Sequence, residues 1–360
     1  MLTTKFLDQT LPTPIMNSAG VFDTTEAELL HLDKTEHISA IVSKSTTFKP
    51  REGNDHPRYF HDAYCSVNST GLANNGYLFY DEMAEKLSKP YIVSVASLDS
   101  IEEMKHVIDH LAKNPKILAI EINLSCPNIV GKSQPAYDFP RFDQYLKTLT
   151  TDLKKPWGIK LPPYFDNTHF QTVATILQKY NPHYISCINS VPLALHIDPI
   201  KETYSIRPNN GRGGIGGLAI KQISLANVQT FRQLMPPETT IIGCGGVTSG
   251  LDLFEHILAG ANLVQIGTQL IRETPQKATE RIVNELQQLL IKKEYRTLTE
   301  VIPLCQRGER AKPSLDIVRT PFDESRPLLG QYLPQHLSLP FEEEGALPPS
   351  SFLHDLDSVV

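Results

Sequence analysis

Lys116-Ile117-Leu118-Ala119-Ile120-Glu121-Ile122 runs directly into Asn123-Leu124-Ser125-Cys126-Pro127-Asn128. The first part is an apolar run ending on a polar residue, the pattern of a buried strand. Pro127 has no N–H for a ladder, so the strand stops before it. A thiol and two carboxamides therefore stand just past a strand's C-terminal end, where parallel α/β folds place their chemistry. Cys126 there reads as a nucleophile, a proton-transfer base or a redox thiol. Taken alone, a cysteine is more often a buried structural one; its neighbours shift that balance.

Seven further short apolar segments, at 14–20, 38–44, 91–96, 157–161, 184–190, 239–243 and 263–266, read as buried strands. Helical patterns fall at 26–32, 81–87, 101–113, 141–153, 168–180, 228–234, 250–259 and 278–292. Eight strands alternating almost throughout with helices predict an α/β protein, a (β/α)8 TIM barrel with long βα loops. The structural rival is a doubly wound open sheet. The strand count and the glycines of the last two βα turns, Cys244-Gly245-Gly246 and Gly267-Thr268, favour the barrel. In barrels those turns bind phosphate through backbone N–H groups near a helix N-terminus. No GxGxxG follows the first strand, which argues against a dinucleotide Rossmann unit.

Residues 5–13 read as a short hairpin or lead-in segment. The connection over 45–77 is rich in Gly, Pro and Asn but carries Tyr59, Phe60, Tyr64 and Val67, so it reads as functional rather than disordered. The irregular stretch 129–140 begins right after the thiol and is a candidate lid. An insertion over 191–217 closes with Gly213-Gly214-Ile215-Gly216-Gly217. From Pro303 onward prolines punctuate the chain and Glu342-Glu343-Glu344 forms an acidic run. The expected organisation is a catalytic barrel over 1–302 and a Pro-rich C-terminal tail over 303–360, an extended arm or flexible segment.

Composition excludes several classes. At 40% hydrophobic and 21% charged, the chain is a soluble globular type. A net charge of −6 gives no general attraction to nucleic acid or anionic lipid. No apolar run is long enough for a membrane span, and residues 1–8 show neither an apolar signal core nor Arg-rich transit character. Cys65, Cys126, Cys187, Cys244 and Cys305 are odd in number and widely spaced, against a disulfide scaffold or a metal site. A reducing cytoplasm is the expected compartment. Cys187 and Cys244, on or beside strands, read as core; Cys65 lies in the loop on the substrate side.

The strand ends present a set. The first gives Ser18-Ala19-Gly20, small enough for a flat ring to lie on backbone. The others give Lys44; Asn123, Cys126 and Asn128; Lys160; Asn189-Ser190; and the glycines of the last two turns. One lysine ending an apolar strand is often a snorkelling cation; two aimed at one face are harder to dismiss. Carboxamides suit a planar, amide-bearing ligand, and lysines suit an anion or a ring that gains negative charge. The set points to a phosphate-bearing planar cofactor such as FMN beside an anionic, amide-rich substrate.

Asn-Leu-Ser-Cys-Pro-Asn at 123–128 resembles the catalytic motif of dihydroorotate dehydrogenases. Further matches follow in order: Asn17-Ser18-Ala19-Gly20, Ser43-Lys44-Ser45-Thr46, Arg51-Glu52-Gly53-Asn54 with Pro57-Arg58, Val67-Asn68-Ser69, Lys160-Leu161-Pro162-Pro163-Tyr164-Phe165, the glycine run 213–217 and both terminal glycine turns. The resemblance covers about residues 3–300. Cysteine at 126 resembles class 1, the soluble class, and 129–138 resembles class 1A, the homodimeric enzymes that use fumarate; the N-terminal extension of the membrane-associated class is not present.

The resemblance implies oxidation of dihydroorotate to orotate, with electrons passing through FMN to fumarate, which leaves as succinate. It implies Cys126 as base, with Lys44 and Lys160 completing the catalytic group and Lys160 favouring the anionic reduced flavin. Lys44, Asn68, Gly71, Leu72, Asn123, Asn128, Asn189 and Ser190 would hold substrate. Ala19, Gly20, Lys44, Ser45, Asn123, Lys160, Gly217, Gly245, Gly246, Gly267 and Thr268 would hold FMN. Thr70, Ala73, Leu98 and 191–195 depart from the family pattern. Alternatives are a class 1B-type subunit passing electrons to NAD+ through an iron–sulfur partner, a non-catalytic flavin barrel, and a flavin-free phosphate-binding barrel.

Overall fold

Eight parallel strands form one sheet in the computed structural model, which describes residues 1–96, 100–125 and 134–307. They are β1 (Ile15–Asn17), β2 (Ile41–Val42), β3 (Tyr91–Val95), β4 (Ile117–Asn123), β5 (Trp157–Leu161), β6 (Tyr184–Cys187), β7 (Thr240–Cys244) and β8 (Leu263–Ile266). Their order is β1-β8-β7-β6-β5-β4-β3-β2. A parallel bridge between Met16 and Ala40 joins the two ends, with Ser39 N–H donating to the Ile15 carbonyl at 2.9 Å. The sheet is therefore closed, the expected TIM barrel rather than an open sheet. Cys126, Asn128, Leu98, the stretch 129–133 and the tail 308–360 lie outside the described residues.

Each strand is followed by a helix: α1 (Glu26–Lys34), α2 (Tyr77–Met83), α3 (Ile101–Leu111), α4 (Phe139–Thr150), α5 (Asn167–Tyr180), α6 (Lys221–Leu234), α7 (Gly250–Ala259) and α8 (Pro275–Lys292). A short helix, Thr268–Glu273, precedes α8. Local chemistry sets the boundaries. Thr25 and Glu28 form a reciprocal capping box on α1, and Ser100, Asp138, Asp166 and Ser249 cap α3, α4, α5 and α7 through their side chains. Asn181 and Gly260, both left-handed, end α5 and α7. In α3 the stripe Met104, Val107, Ile108, Leu111 is buried against the barrel. Helix α6 starts seven residues before the expected 228, because Lys221, Gln222 and Ser224 mask the pattern in which Ser224, Asn227, Val228 and Phe231 are buried. Helix α2 lies earlier than 81–87, since Tyr77, Tyr80 and Met83 are its buried face.

The barrel interior is layered. A hairpin of Thr4–Phe6 and Gln9–Leu11 closes the N-terminal end. Phe6 and Leu11 pack with Met16, Ala40, Val42, Ile92, Ala119, Tyr184, Ile242 and Leu263 in an apolar floor. Phe6 meets Tyr184 edge-on with ring centroids 5.3 Å apart. Gly158 makes room for that ring: a Cβ there would lie 2.5 Å from Tyr184. Above the floor the interior becomes polar, with Ser94, Glu121, Lys160, Ser186 and Gln265 all buried.

The two long connections meet over the C-terminal face. Tyr59–His61 and Ser66–Asn68 from the first join Val191–Leu195 and Arg212–Gly216 from the second in a four-stranded antiparallel sheet. The sequence pattern alone reads both connections as irregular, because these strands are only three to five residues long and the last, Arg212–Gly216, is mostly glycine. A small pair, Ile197–Asp198 with Thr203–Tyr204, projects beyond it. At the other end of the chain Leu298 N–H donates to the Met1 carbonyl at 2.9 Å, and Leu298 and Val301 are buried.

Candidate active site

A cleft of about 1220 Å³, open to solvent, lies between the strand ends and the four-stranded sheet. Ala19, Gly20, Lys44, Ser45, Asn68, Leu72, Asn123, Lys160, Asn189, Ser190, Gly217, Gly245, Gly246, Gly267 and Thr268 all line it. Of the site residues expected from sequence, Gly71 is not in the wall, although Thr70 and Leu72 on either side are. Gly71 has φ +68°, and a Cβ there would collide with Asn54, so glycine is required by the loop itself.

The carboxamides are bound into one network at the ends of β4, β5 and β6. Asn123 Nδ2 donates to Ser45 Oγ at 2.9 Å, and its Oδ1 accepts from the backbone N–H of Ser125 at 3.1 Å. Ser125 Oγ accepts from Asn189 Nδ2 at 3.1 Å and lies 2.9 Å from the Lys160 carbonyl. Ser190 N–H donates to Asn189 Oδ1 at 2.8 Å. Each amide is thus held in a fixed rotamer by a neighbour. Ser125, the residue before Cys126, is the junction.

Both lysines are nearly fully buried. Lys160 Nζ donates to Gln265 Oε1 at 2.6 Å; that oxygen also accepts from Ser186 Oγ at 3.0 Å, and Gln265 Nε2 donates to Glu121 Oε2 at 3.3 Å. Lys44 Nζ lies 3.1 Å from where a Cβ on Gly20 would sit, a close approach, and the φ of +99° at Gly20 itself favours glycine. Behind Lys44, Asp23 Oδ2 accepts from the Gly20 N–H at 2.6 Å. Burial, opposed by the Lys44 ammonium, pushes the Asp23 carboxyl up to about 7.

That shift has a signed consequence. The folded protein keeps the Asp23 proton up to about pH 7, whereas the unfolded chain releases it near 3.8. The stability contributed is complete below the unfolded value and is lost as pH rises through 7. Asp23→Asn removes the dependence. Its melting temperature relative to wild type should rise by roughly 3 °C or more between pH 5 and pH 8, as read by thermal scans at the two pH values.

Glycine turns form the far end of the cleft. Gly217, Gly245 and Gly246 have φ of +77°, +129° and +76°, and Gly246 lies against the first residue of α6. Asp252 braces the turn that follows, accepting from Thr248 N–H at 2.9 Å, Thr248 Oγ1 at 2.7 Å and Ser249 Oγ at 2.8 Å. Lys221 Nζ is 2.8 Å from Asp252 and 2.9 Å from Glu255. His256 supports the Gly245 carbonyl from below at 3.0 Å; burial lowers its pKa to about 4, so the neutral ring donates through Nε2. Ser66 Oγ and Thr268 Oγ1 are 2.8 Å apart at the cleft edge, where Tyr59 and Arg272 also line it.

The model of the dihydroorotate dehydrogenase family matches residues 1–290. The chain belongs to that family. Proteins named putative dihydroorotate dehydrogenase A (fumarate) from Streptococcus equi subsp. equi and Streptococcus pyogenes serotype M5 are 44% and 43% identical over 291 residues, which is 79% of this chain and 92% of each of theirs. One from Streptococcus agalactiae serotype V is 43% identical over the same span. The fold is that of the crystal structure of DHODH from Eimeria tenella in complex with ferulenol, with a TM-score of 0.72 at 19% identity, covering 85% of this chain and 89% of that one.

Membership in the dihydroorotate dehydrogenase family implies a flavin, and the residues present fit one. Small residues at 18–20, Lys160, the amides and the glycine turns line one cleft, a lining chemically compatible with a flat ring of polar edges that bears a phosphate. The Tyr59 hydroxyl is buried at the cleft edge beside Ser66 and Thr268. Sequence reading missed Tyr59, Arg272, Asp23, Glu121 and Gln265. Glu121 and Gln265 carried a usable signal, a polar side chain inside an otherwise apolar strand. Cys187 is fully buried, as expected of a core thiol, whereas Cys244, also buried, lines the cleft with Sγ 3.5 Å from Ser18 Oγ. Cys65 is partly exposed, its thiol pushed up to about 11 by burial and by Asp62.

Proposed function

We propose that this chain is an FMN-dependent dihydroorotate dehydrogenase that oxidises (S)-dihydroorotate to orotate, in pyrimidine biosynthesis, and delivers the electrons to fumarate. The observation that carries the reading is the convergence of Lys44, Lys160, Asn123 and Asn189 on one cleft, in a chain up to 44% identical to proteins named for that activity. The glycine turns at Gly245-Gly246 and Gly267-Thr268 suit the single phosphate of FMN.

Bound FMN would supply the acceptor for the C6 hydride and return the electron pair to fumarate. Cys126 would take the proton from C5. A thiol of ordinary pKa near 8.5 does this well only with a lowered pKa or in a closed, dry site, a role for the stretch 129–140. Lys44 would face the substrate carboxylate, with Asn68, Leu72, Asn128 and Ser190 around it, and Gly71 would act only by letting the loop turn between Thr70 and Leu72. Asn123 and Asn189, fixed through Ser125, would orient the substrate ring by its amide edges. Lys160 would place its ammonium at the flavin edge that gains charge.

The chain would act as a cytoplasmic homodimer. Leu193, Ile197, Ile200 and Tyr204 are exposed on the projecting arm, Ile200 by 91%, a surface suited to a second copy. No helix among the described residues is long and apolar enough to cross a membrane. The free Cys65, Cys187, Cys244 and Cys305 suit a reducing compartment.

The test is anaerobic. Dihydroorotate added to the yellow protein should bleach the flavin band near roughly 450 nm, a cofactor property, and fumarate should restore it. Bleaching without recovery would overturn the acceptor and keep the substrate. A band unmoved by dihydroorotate would overturn the substrate, with Thr70 and 191–195 the first positions to vary.

A further inference from the structure

Lys160 carries a charge into the barrel that something must balance. A buried ammonium is tolerated only with an anion close by. Glu121, fully buried one strand away on β4, supplies one. The two do not touch; Gln265 from β8 stands between them, its Oε1 accepting a hydrogen bond from Lys160 Nζ and its Nε2 donating one to Glu121 Oε2. An amide has one accepting end and one donating end, so this chain fixes its orientation, and Ser186 donating to the same Oε1 reinforces it. Gln265 and Ser94 are the polar side chains beside the Glu121 carboxyl, and the buried Tyr184 hydroxyl is near it. Burial holds the Glu121 carboxyl above its usual range, and the Lys160 ammonium, with Gln265 and Ser94, opposes that push and favours the carboxylate.

We propose that Glu121 is a positioning residue: acting through Gln265, it is the counter-charge of Lys160 and sets how readily the bound flavin accepts electrons. A carboxylate behind the ammonium weakens the positive field that reaches the cleft. Neutralising it leaves the full charge of Lys160 facing the flavin and favours the reduced form. The inference rests on the flavin reading of the cleft given above.

The experiment uses FMN-loaded protein equilibrated without oxygen against a redox dye, reading the ratio of reduced to oxidised flavin at fixed dye poise. Glu121→Gln should raise that ratio about tenfold, and Glu121→Asp, which keeps the charge, should hold it within about threefold of wild type. In a Lys160→Met background, Glu121→Gln should change it less than about twofold, because without the ammonium the fully buried Glu121 stays protonated and carries no charge to remove. If Glu121→Gln alone does not fold, the Lys160→Met/Glu121→Gln double variant should, since it leaves no charge unpaired. A ratio in Glu121→Gln within about twofold of wild type, an equal shift in both backgrounds, or a double variant that also fails to fold overturns the proposal. Wild-type protein that stays colourless after FMN loading overturns the flavin reading, and this proposal with it.

Discussion

A Cys126→Ala variant should stay yellow and reduce its flavin with dihydroorotate about 10²–10⁴-fold more slowly than wild type, the range for losing a positioned general base. The argument rests on what surrounds position 126 in the chain. Ser125 is tied to Asn123, Asn189 and the end of β5, so substrate and cofactor positioning survive the substitution and the loss falls on proton removal. Stopped-flow absorbance at saturating dihydroorotate separates the two, since binding is then complete and only the reduction step is read. A variant as fast as wild type would remove Cys126 from the mechanism and leave Lys44 as the group to examine.

Lys44→Met should cost about 10²–10³ in the reductive half-reaction, a loss typical of removing one preorganised electrostatic partner, and should also weaken dihydroorotate binding. Lys44 is 5% exposed, and its ammonium is the charged group that opposes burial at Asp23. Without it the Asp23 carboxyl loses the neighbour that favours ionisation, so its pKa rises further and the variant is less stable above neutral pH than below it. Combining Lys44→Met with Asp23→Asn should recover that stability without recovering catalysis. Rate and melting temperature measured on the three variants give the check; parallel recovery of both would show that Lys44 matters only to the fold.

The part of the molecule legible in the sequence was the part written in local patterns. Eight apolar runs and their intervening helices gave the barrel, and polar residues closing those runs gave Lys44, Asn123, Lys160 and Asn189. The residues behind that first layer were not legible. Lys160 and Gln265 are 105 positions apart, Gln265 and Glu121 144 apart, and no local spacing announces that β8 supplies the amide between a lysine on β5 and a carboxylate on β4. Asp23 sits in a loop where an acidic residue ordinarily faces water, yet it is fully buried against Gly20. The strands at 59–61, 66–68, 191–195 and 212–216 were missed for a related reason. They stabilise one another across the sequence; three are too short or too irregular to show an alternation, and in the fourth, 212–216, glycines dilute it.

Barrel closure pairs the first strand with the last, through Ile15–Asn17 and Val264–Ile266. On the ribosome this imposes an order of events. The hairpin that seals the floor emerges first, but Leu263, one of its packing partners, emerges some 250 residues later, a wait of roughly 10–50 s at ordinary elongation rates. Until β8 emerges, the strands carrying Glu121 and Lys160 lack the neighbour that supplies Gln265, and both side chains stay open to water. Gln265 is translated directly after the residue pair that begins to shut the barrel. The demand for a balanced pair of charges therefore arises only as the last strand docks, so errors at positions 121, 160 and 265 should appear as late-arrested, chaperone-bound chains rather than as failures of early collapse.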